Sequence, residues 1–260
     1  MPGIRVAAVW PAAAIAALGF TASPARSEDI RVFTSGAPAA VQQTIAPAFT
    51  SATGHRVLFT VGNLSAIQDK LSGAESPDVV VLPTPAIGTL DKAGKFRAGS
   101  RLDLARVAIG VAVRRGAPLP DVSTVDAVRA MLLKVRSIVH PDPQGGGFTG
   151  AHIAQMIMRL GIADEIKPKV KLLFAIGGGV EAVASGDAEV GLFNISEILP
   201  VPGVALAGPL PAELQNYIAF AGALGRDASE PASAFLRLLA SADANEAWRA
   251  GGFEPLGRGR

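Results

Sequence analysis

Between Asp142 and Gly161 the chain reads DPQGGGFTGAHIAQMIMRLG, and its residue types suit anion binding and proton transfer. Gly145, Gly146 and Gly147 let the backbone take positive φ and approach a ligand closely. The N–H groups of such a loop converge on one spot, and the helix that follows adds the positive end of its macrodipole. The spacing fits neither the phosphate-binding Walker loop nor the dinucleotide fingerprint GxGxxG. His140 and His152 flank the loop, and either imidazole could carry a proton near neutral pH. Asp142 is a third candidate base. The chain has no G-x-S-x-G elbow, and with no cysteine it has no thiol nucleophile. His55, His140 and His152 lack metal-ligand spacing, so no metal or cofactor is expected.

These groups need elements to position them. The apolar run Val135–Val139 predicts a strand before the loop, and Ile153, Met156, Ile157 and Leu160, one turn apart, predict a helix closed by Gly161. From Ile30 onward, strands and helices alternate: strand Ile30–Thr34, helix Ala39–Thr53, strand Arg56–Val61, helix Ser65–Gly73, strand Val79–Leu82. That alternation is the signature of βαβ units, whose ligands sit outside the carboxyl ends of the strands. Those ends carry Ser35, Asn63, Ser65 and Thr84, all small hydrogen-bonding residues.

The stretch Leu104–Val113 reads as one strand leaving the first lobe. Arg106 lies at its start, where a guanidinium could grip a carboxylate bidentately. Helix Val125–Lys134, strand Lys171–Phe174, helix Gly179–Ser185 and strand Glu189–Phe193 build a second lobe, followed by a proline-rich run from Pro200 to Pro211. Tyr217–Leu224 reads as a returning strand, and Glu230–Leu239 and Asn245–Ala250 as closing helices. The expected architecture is α/β and two-lobed, each lobe a mostly parallel sheet flanked by helices. Residues 28–107 with 216–260 form lobe 1, residues 108–215 form lobe 2, and two crossings join them around a cleft.

Composition limits the partners. With 24 basic and 22 acidic residues mixed in sign, and 5% aromatics, the chain offers no nucleic-acid surface. Arg5 precedes an apolar run from Val6 to Ala22, and Ser23-Pro24-Ala25 supplies small residues for cleavage after Ala25, with cleavage after Ser27 as an alternative. Residues 1–25 thus read as a secretory signal peptide. Without cysteine there is no disulfide and no lipid-modified cysteine, so the mature protein is expected in the periplasm, without stable membrane insertion and as a monomer.

The ordered set VFTSGAP (32–38), VGNLSAIQDKL (61–71), DPQGGGFTG (142–150), GDAEVGLFNISEILP (186–200) and FLRLLASADANEAWRAGGFEPL (235–256) resembles the periplasmic substrate-binding proteins of ABC transporters, in the molybdate-binding-like branch of the type II fold. The resemblance spans nearly the whole mature chain. It implies a small anion held between the lobes for an ABC transporter permease. Carried over by position, it places Ser35 in the first loop, Asn63 and Ser65 in the second, amides near Thr149 and near Gly178 or Gly179 at two helix starts, and Asn194 where molybdate binders have tyrosine. Ser196 is a further donor, while Glu197 is read as a cap. The loop around Gly146 and Gly147 is one residue longer than in that family, and in the second loop both family serines are replaced, with one hydroxyl, that of Ser65, remaining one position displaced. Those departures and Arg106 favour an organic carboxylate over molybdate or tungstate. The same cleft also admits an enzyme like aconitate isomerase, with His140, His152 or Asp142 as base.

Overall fold

The structure is a computed structural model that describes residues 27–73, 76–144, 148–173 and 179–257. The leader and the positions Gly146, Gly147 and Gly178 lie outside the described residues.

The first sheet is entered through β1 (Asp29–Ser35), α1 (Gly36–Thr53), β2 (Arg56–Gly62), α2 (Leu64–Ser72), β3 (Val79–Pro83), α3 (Thr84–Lys92) and β4 (Leu102–Val107). The second is built from β5 (Ile109–Arg114), α4 (Val125–Lys134), β6 (Ile138–Pro141), α5 (Phe148–Arg159), α6 (Ala163–Ile166), β7 (Val170–Leu173), α7 (Gly179–Ser185), β8 (Val190–Asn194), α8 (Ile195–Ile198) and β9 (Val204–Pro209). The chain then returns to the first sheet with β10 (Ile218–Leu224), α9 (Glu230–Leu239), α10 (Asn245–Ala250) and β11 (Phe253–Pro255). The sheet orders are β11-β4-β10-β3-β1-β2 and β7-β6-β8-β5-β9.

Both sheets are mixed. Parallel pairing is confined to β1 with β2 and β3, and to β6 with β7 and β8. Strands that carry the chain between lobes, β4, β5 and β10, pair antiparallel, as do β9 and β11. The expectation of mostly parallel sheets therefore holds for the βαβ units alone. The single strand expected over Leu104–Val113 is two, divided at Ala108, because Val107 ends in one sheet and Ile109 begins in the other. The strand expected from Val135 begins at Ile138, since Val135 is still the C-cap of α4.

Each sheet is covered on both faces. Val41, Ile45 and Phe49 of α1 meet Phe235 of α9 and Trp248 of α10 on one face of the first sheet, and Ile67 of α2 and Ile87 of α3 cover the other. In the second lobe, α4, α5 and α6 bury Val128, Leu132, Ile153, Met156 and Ile166 on one face, while α7 and α8 bury Val180, Val183 and Ile198 on the other. Helix starts follow local chemistry. Asn63 accepts from the Ala66 N–H at 2.8 Å, and Thr124 from that of Ala127 at 3.1 Å. No helix among the described residues is long and apolar enough to cross a membrane.

Candidate functional site

Strand direction brings the two lobes together at one place. β1, β2 and β3 are parallel, so Ser35, Gly62 and Pro83 end on the same edge of the first sheet. β4 runs in that direction too, because both β3 and β4 are antiparallel to β10, so Val107 ends on this edge. In the second sheet Ile109 lies opposite Asn194, at the carboxyl end of β8. One residue, Ala108, thus joins the carboxyl edge of one sheet to that of the other. The return path runs beside it: Gln215 Oε1 accepts from the Ile109 N–H at 2.8 Å, and its Nε2 donates to the Ile109 carbonyl at 3.0 Å.

On the first wall, Ser35 has extended backbone before α1, yet its side chain makes no capping bond. Thr84 is the first residue of α3, which Pro85 starts by fixing φ for a helix. On the second wall, Ser196 lies just after β8. The hydroxyls of Ser35, Thr84 and Ser196 are all buried and have no hydrogen-bond partner among the described residues. An unpaired buried hydroxyl costs about 1–3 kcal/mol, so each of the three retains an unmet capacity to donate a hydrogen bond. Gln42, fully buried, steadies this wall: its Nε2 donates to Thr34 Oγ1 at 2.9 Å, and that hydroxyl donates to the Ser35 carbonyl at 3.2 Å. Asn63 is exposed and spends its side-chain oxygen on the α2 cap, and Ser65 is exposed in the first turn of α2.

A chain of hydrogen bonds organises the second wall. Thr149 Oγ1 donates to Asn194 Oδ1 at 3.0 Å, and Asn194 Nδ2 donates to Glu197 Oε1 at 3.2 Å. The turn that carries Thr149 is pressed onto β6, where a Cβ on Gly150 would stand 2.6 Å from the Pro141 carbonyl oxygen and 2.7 Å from that of Asp142. Glu197 is exposed, with its carboxyl held back onto Asn194. Partial desolvation of that carboxyl pushes it above the ordinary glutamate range, against the pull of its bonds to Asn194. The start of α8 also meets the first lobe. Ile195 packs on the first-sheet core, and a Cβ on Gly252, whose φ is +83°, would lie 3.0 Å from the Ser196 amide nitrogen.

The three candidate bases are held by internal contacts. His140 is 3% exposed, and its Nδ1–H donates to the Pro141 carbonyl at 2.8 Å. Asp142 is buried and accepts from the Gln144 N–H at 2.7 Å. His152 Nε2–H donates to the Leu214 carbonyl at 2.8 Å, tying α5 to the return path. Burial holds the His140 imidazole below its ordinary value, with the Pro141 carbonyl and Asp142 acting in the opposite direction. Above the ordinary histidine pKa of about 6.5, folded and unfolded chains are both neutral at this residue, and its contribution to stability is complete. As the pH falls from there toward the lower folded-state value, the unfolded chain takes up the proton first and stability is lost. His140→Gln is expected to flatten the decline in Tm between pH 7.5 and 5; an undiminished decline would place the titration elsewhere.

Arg106 does not stand free as a clamp. Its guanidinium is paired with Glu254 at 2.6 Å and lies 3.8 Å over the Tyr217 ring centroid. β11 places Glu254 directly opposite Arg106, and no local sequence signal could have announced a partner 148 residues away. An exposed pair of this kind contributes about 0–1 kcal/mol, and the ring contact a similar amount. Arg106→Ala is accordingly expected to lower Tm slightly and to change anion affinity by less than about threefold; calorimetric titration showing a loss of tenfold or more would return it to the site. Sequence reasoning also missed Gln215 and the buried Gln42.

Proteins similar to this chain include an enzyme and two binding proteins of known structure. An aconitate isomerase from Pseudomonas sp is 31% identical over 235 residues, covering 87% of this chain and 88% of the relative. The periplasmic molybdate-binding protein of Azotobacter vinelandii superposes with a TM-score of 0.67 at 20% identity, over 86% of this chain and 98% of that one. L-phospholactate-bound PEB3 of Campylobacter jejuni gives a TM-score of 0.66 at 17% identity, over 87% and 99%. Residues 30–254 match the family model described as bacterial extracellular solute-binding protein, and this chain belongs to that family.

Proposed function

We propose that the protein is a periplasmic receptor that captures a small organic polycarboxylate between its lobes and passes it to an ABC transporter permease. The three unpartnered hydroxyls of Ser35, Thr84 and Ser196, drawn from both walls, carry this reading. Neutral donors at strand ends can hold an anion without burying a counter-charge. The aconitate isomerase relative supports a tricarboxylate or related acid, and PEB3, with its bound phospholactate, shows an organic acid on the same fold. Residues 1–25 would be the secretory signal, residues 28–107 with 216–260 and residues 108–215 the two lobes, and the mature chain a monomer without cofactor.

The test is thermal denaturation of the chain lacking its first 25 residues, with trans-aconitate, cis-aconitate, citrate, molybdate, tungstate or sulfate. A ligand at 100 times its Kd adds about 2.7 kcal/mol, or about 5–10 °C in Tm. The reading predicts that a carboxylate gives the large shift. A shift with molybdate and tungstate alone would refute the ligand class, and none with any anion would refute the receptor.

Catalysis is the second reading, favoured by the 31% identity to aconitate isomerase along most of the chain. Interconverting trans- and cis-aconitate moves one proton from a methylene carbon beside a carboxylate to the far end of the allylic system, which one acid–base group can do without a cofactor. Drift of near-ultraviolet absorbance after trans-aconitate is mixed with the protein would establish it; a constant spectrum leaves the receptor.

A further inference from the structure

We infer that Gln42 is a positioning residue of the cleft: acting through Thr34, it holds the Ser35 peptide so that the Ser35 hydroxyl is presented to the anion. This rests on the reading of the cleft as an anion site.

The direction of each bond in this relay follows from the groups themselves. Thr34 Oγ1 has one proton, which goes to the Ser35 carbonyl at 3.2 Å. In its 2.9 Å contact with Gln42 the hydroxyl must therefore accept, and Gln42 Nε2 donates. Gln42 Oε1 is left over, buried and without a partner among the described residues. Thr34 and Gln42 are both fully buried. Gln42 is the polar exception on a buried face of α1 otherwise made of Pro38, Ala39, Val41, Ile45, Ala46 and Phe49.

Stability alone does not account for such a pair. When two bonded polar partners in a core are both replaced by apolar groups of similar shape, the change is nearly neutral or stabilising, the more so where one polar atom had no partner. What the pair provides is orientation. Its last bond ends on the Ser35 carbonyl, and so fixes the ψ of Ser35, 158°, and with it the plane of the peptide that enters α1.

The same turn keeps the Ser35 hydroxyl out of internal use. Ser35 is the N-cap of α1, with the extended backbone from which a serine side chain ordinarily accepts from the N–H of the second or third helical residue. The third is Pro38, which has no N–H, and no capping bond forms. A Cβ on Gly36 would meet nothing within 4 Å, so the backbone beside the hydroxyl is open to a ligand. The relay thus fixes the backbone of a serine whose side chain is left unpaired.

The experiment is calorimetric titration with trans-aconitate and with molybdate, alongside thermal denaturation, of the chain lacking its first 25 residues. The variants are Thr34→Val, Gln42→Met and the two together, and the pair is also combined with Ser35→Ala and with Ser196→Ala. Thr34→Val should weaken binding of the anion that the wild type takes by about 3–10-fold, part of what one hydrogen bond to a charged acceptor contributes. The pair should lose no more than Thr34→Val alone, because Gln42 acts through Thr34, and should melt at or above the wild-type temperature. Added to Ser35→Ala, the pair should cost less than about twofold further, whereas added to Ser196→Ala it should cost its full factor. A general loosening of the first lobe would weaken binding alike in both backgrounds. Wild-type affinity in the pair, whatever its Tm, or an equal loss in the two backgrounds overturns the assignment but leaves the receptor standing. If neither these anions nor any of the wider panel binds the wild type, both fall.

Discussion

Alanine at both Ser35 and Ser196 is expected to weaken anion binding by roughly 10²–10⁴-fold while leaving the free protein as stable as before, or more so. Each hydroxyl donates to a charged acceptor only in the complex, and such a bond contributes about 1.5–3 kcal/mol. At about 1.4 kcal/mol per tenfold, two of them give the stated range. The stability effect has the opposite sign because both hydroxyls are buried without a partner, so a methyl group in their place removes an unmet desolvation cost. Titration calorimetry and thermal denaturation together check the pair of effects. A variant that loses stability but keeps its affinity would show that the hydroxyls serve the fold.

Trp248→Ala should be the most destabilising single change considered, by about 3–5 kcal/mol, which lowers Tm by about 6–20 °C in a chain of this size. Trp248 is fully buried, stacks edge-on against Phe253 with ring centroids 5.3 Å apart, and donates from Nε1 to the Leu239 carbonyl at 2.9 Å. Its removal opens a cavity among α9, α10 and β11 and strips a buried carbonyl of its donor. The effect reaches the site through Gly252, which follows α10 and holds Ile195 and Ser196 close to the first lobe. Trp248→Phe keeps most of the packing and loses the hydrogen bond, so its Tm should lie between alanine and wild type. Equal losses in the two variants would mean that packing contributes little.

Much of this architecture is legible in the chain because its signals are local. Helices over Val125–Lys134, Gly179–Ser185, Glu230–Leu239 and Asn245–Ala250 follow from apolar spacing and appear with those bounds. Ser35, Thr84 and Ser196 follow from their places at strand ends. Where competing local signals meet, the reading fails. Thr84-Pro85 looks like a loop, but proline in the first turn starts α3. The residues of β9 lie in a proline-rich run and form an edge strand, the position that tolerates Pro209. Arg106 illustrates the deeper limit. Its residue type and position in the chain favour a carboxylate partner, and the partner proves to be Glu254, brought opposite only by the pairing of β4 and β11. The Thr149–Asn194 bond is non-local in the same way, since α5 and β8 meet only in the folded lobe.

Titration of the chain lacking its first 25 residues with trans-aconitate, alongside molybdate and the Ser35→Ala/Ser196→Ala variant, tests the cleft most directly. Saturable one-to-one binding of trans-aconitate, tighter than that of molybdate and lost in the variant, is the predicted result. Tight binding of molybdate with none of trans-aconitate, or trans-aconitate binding that survives both substitutions, would contradict it.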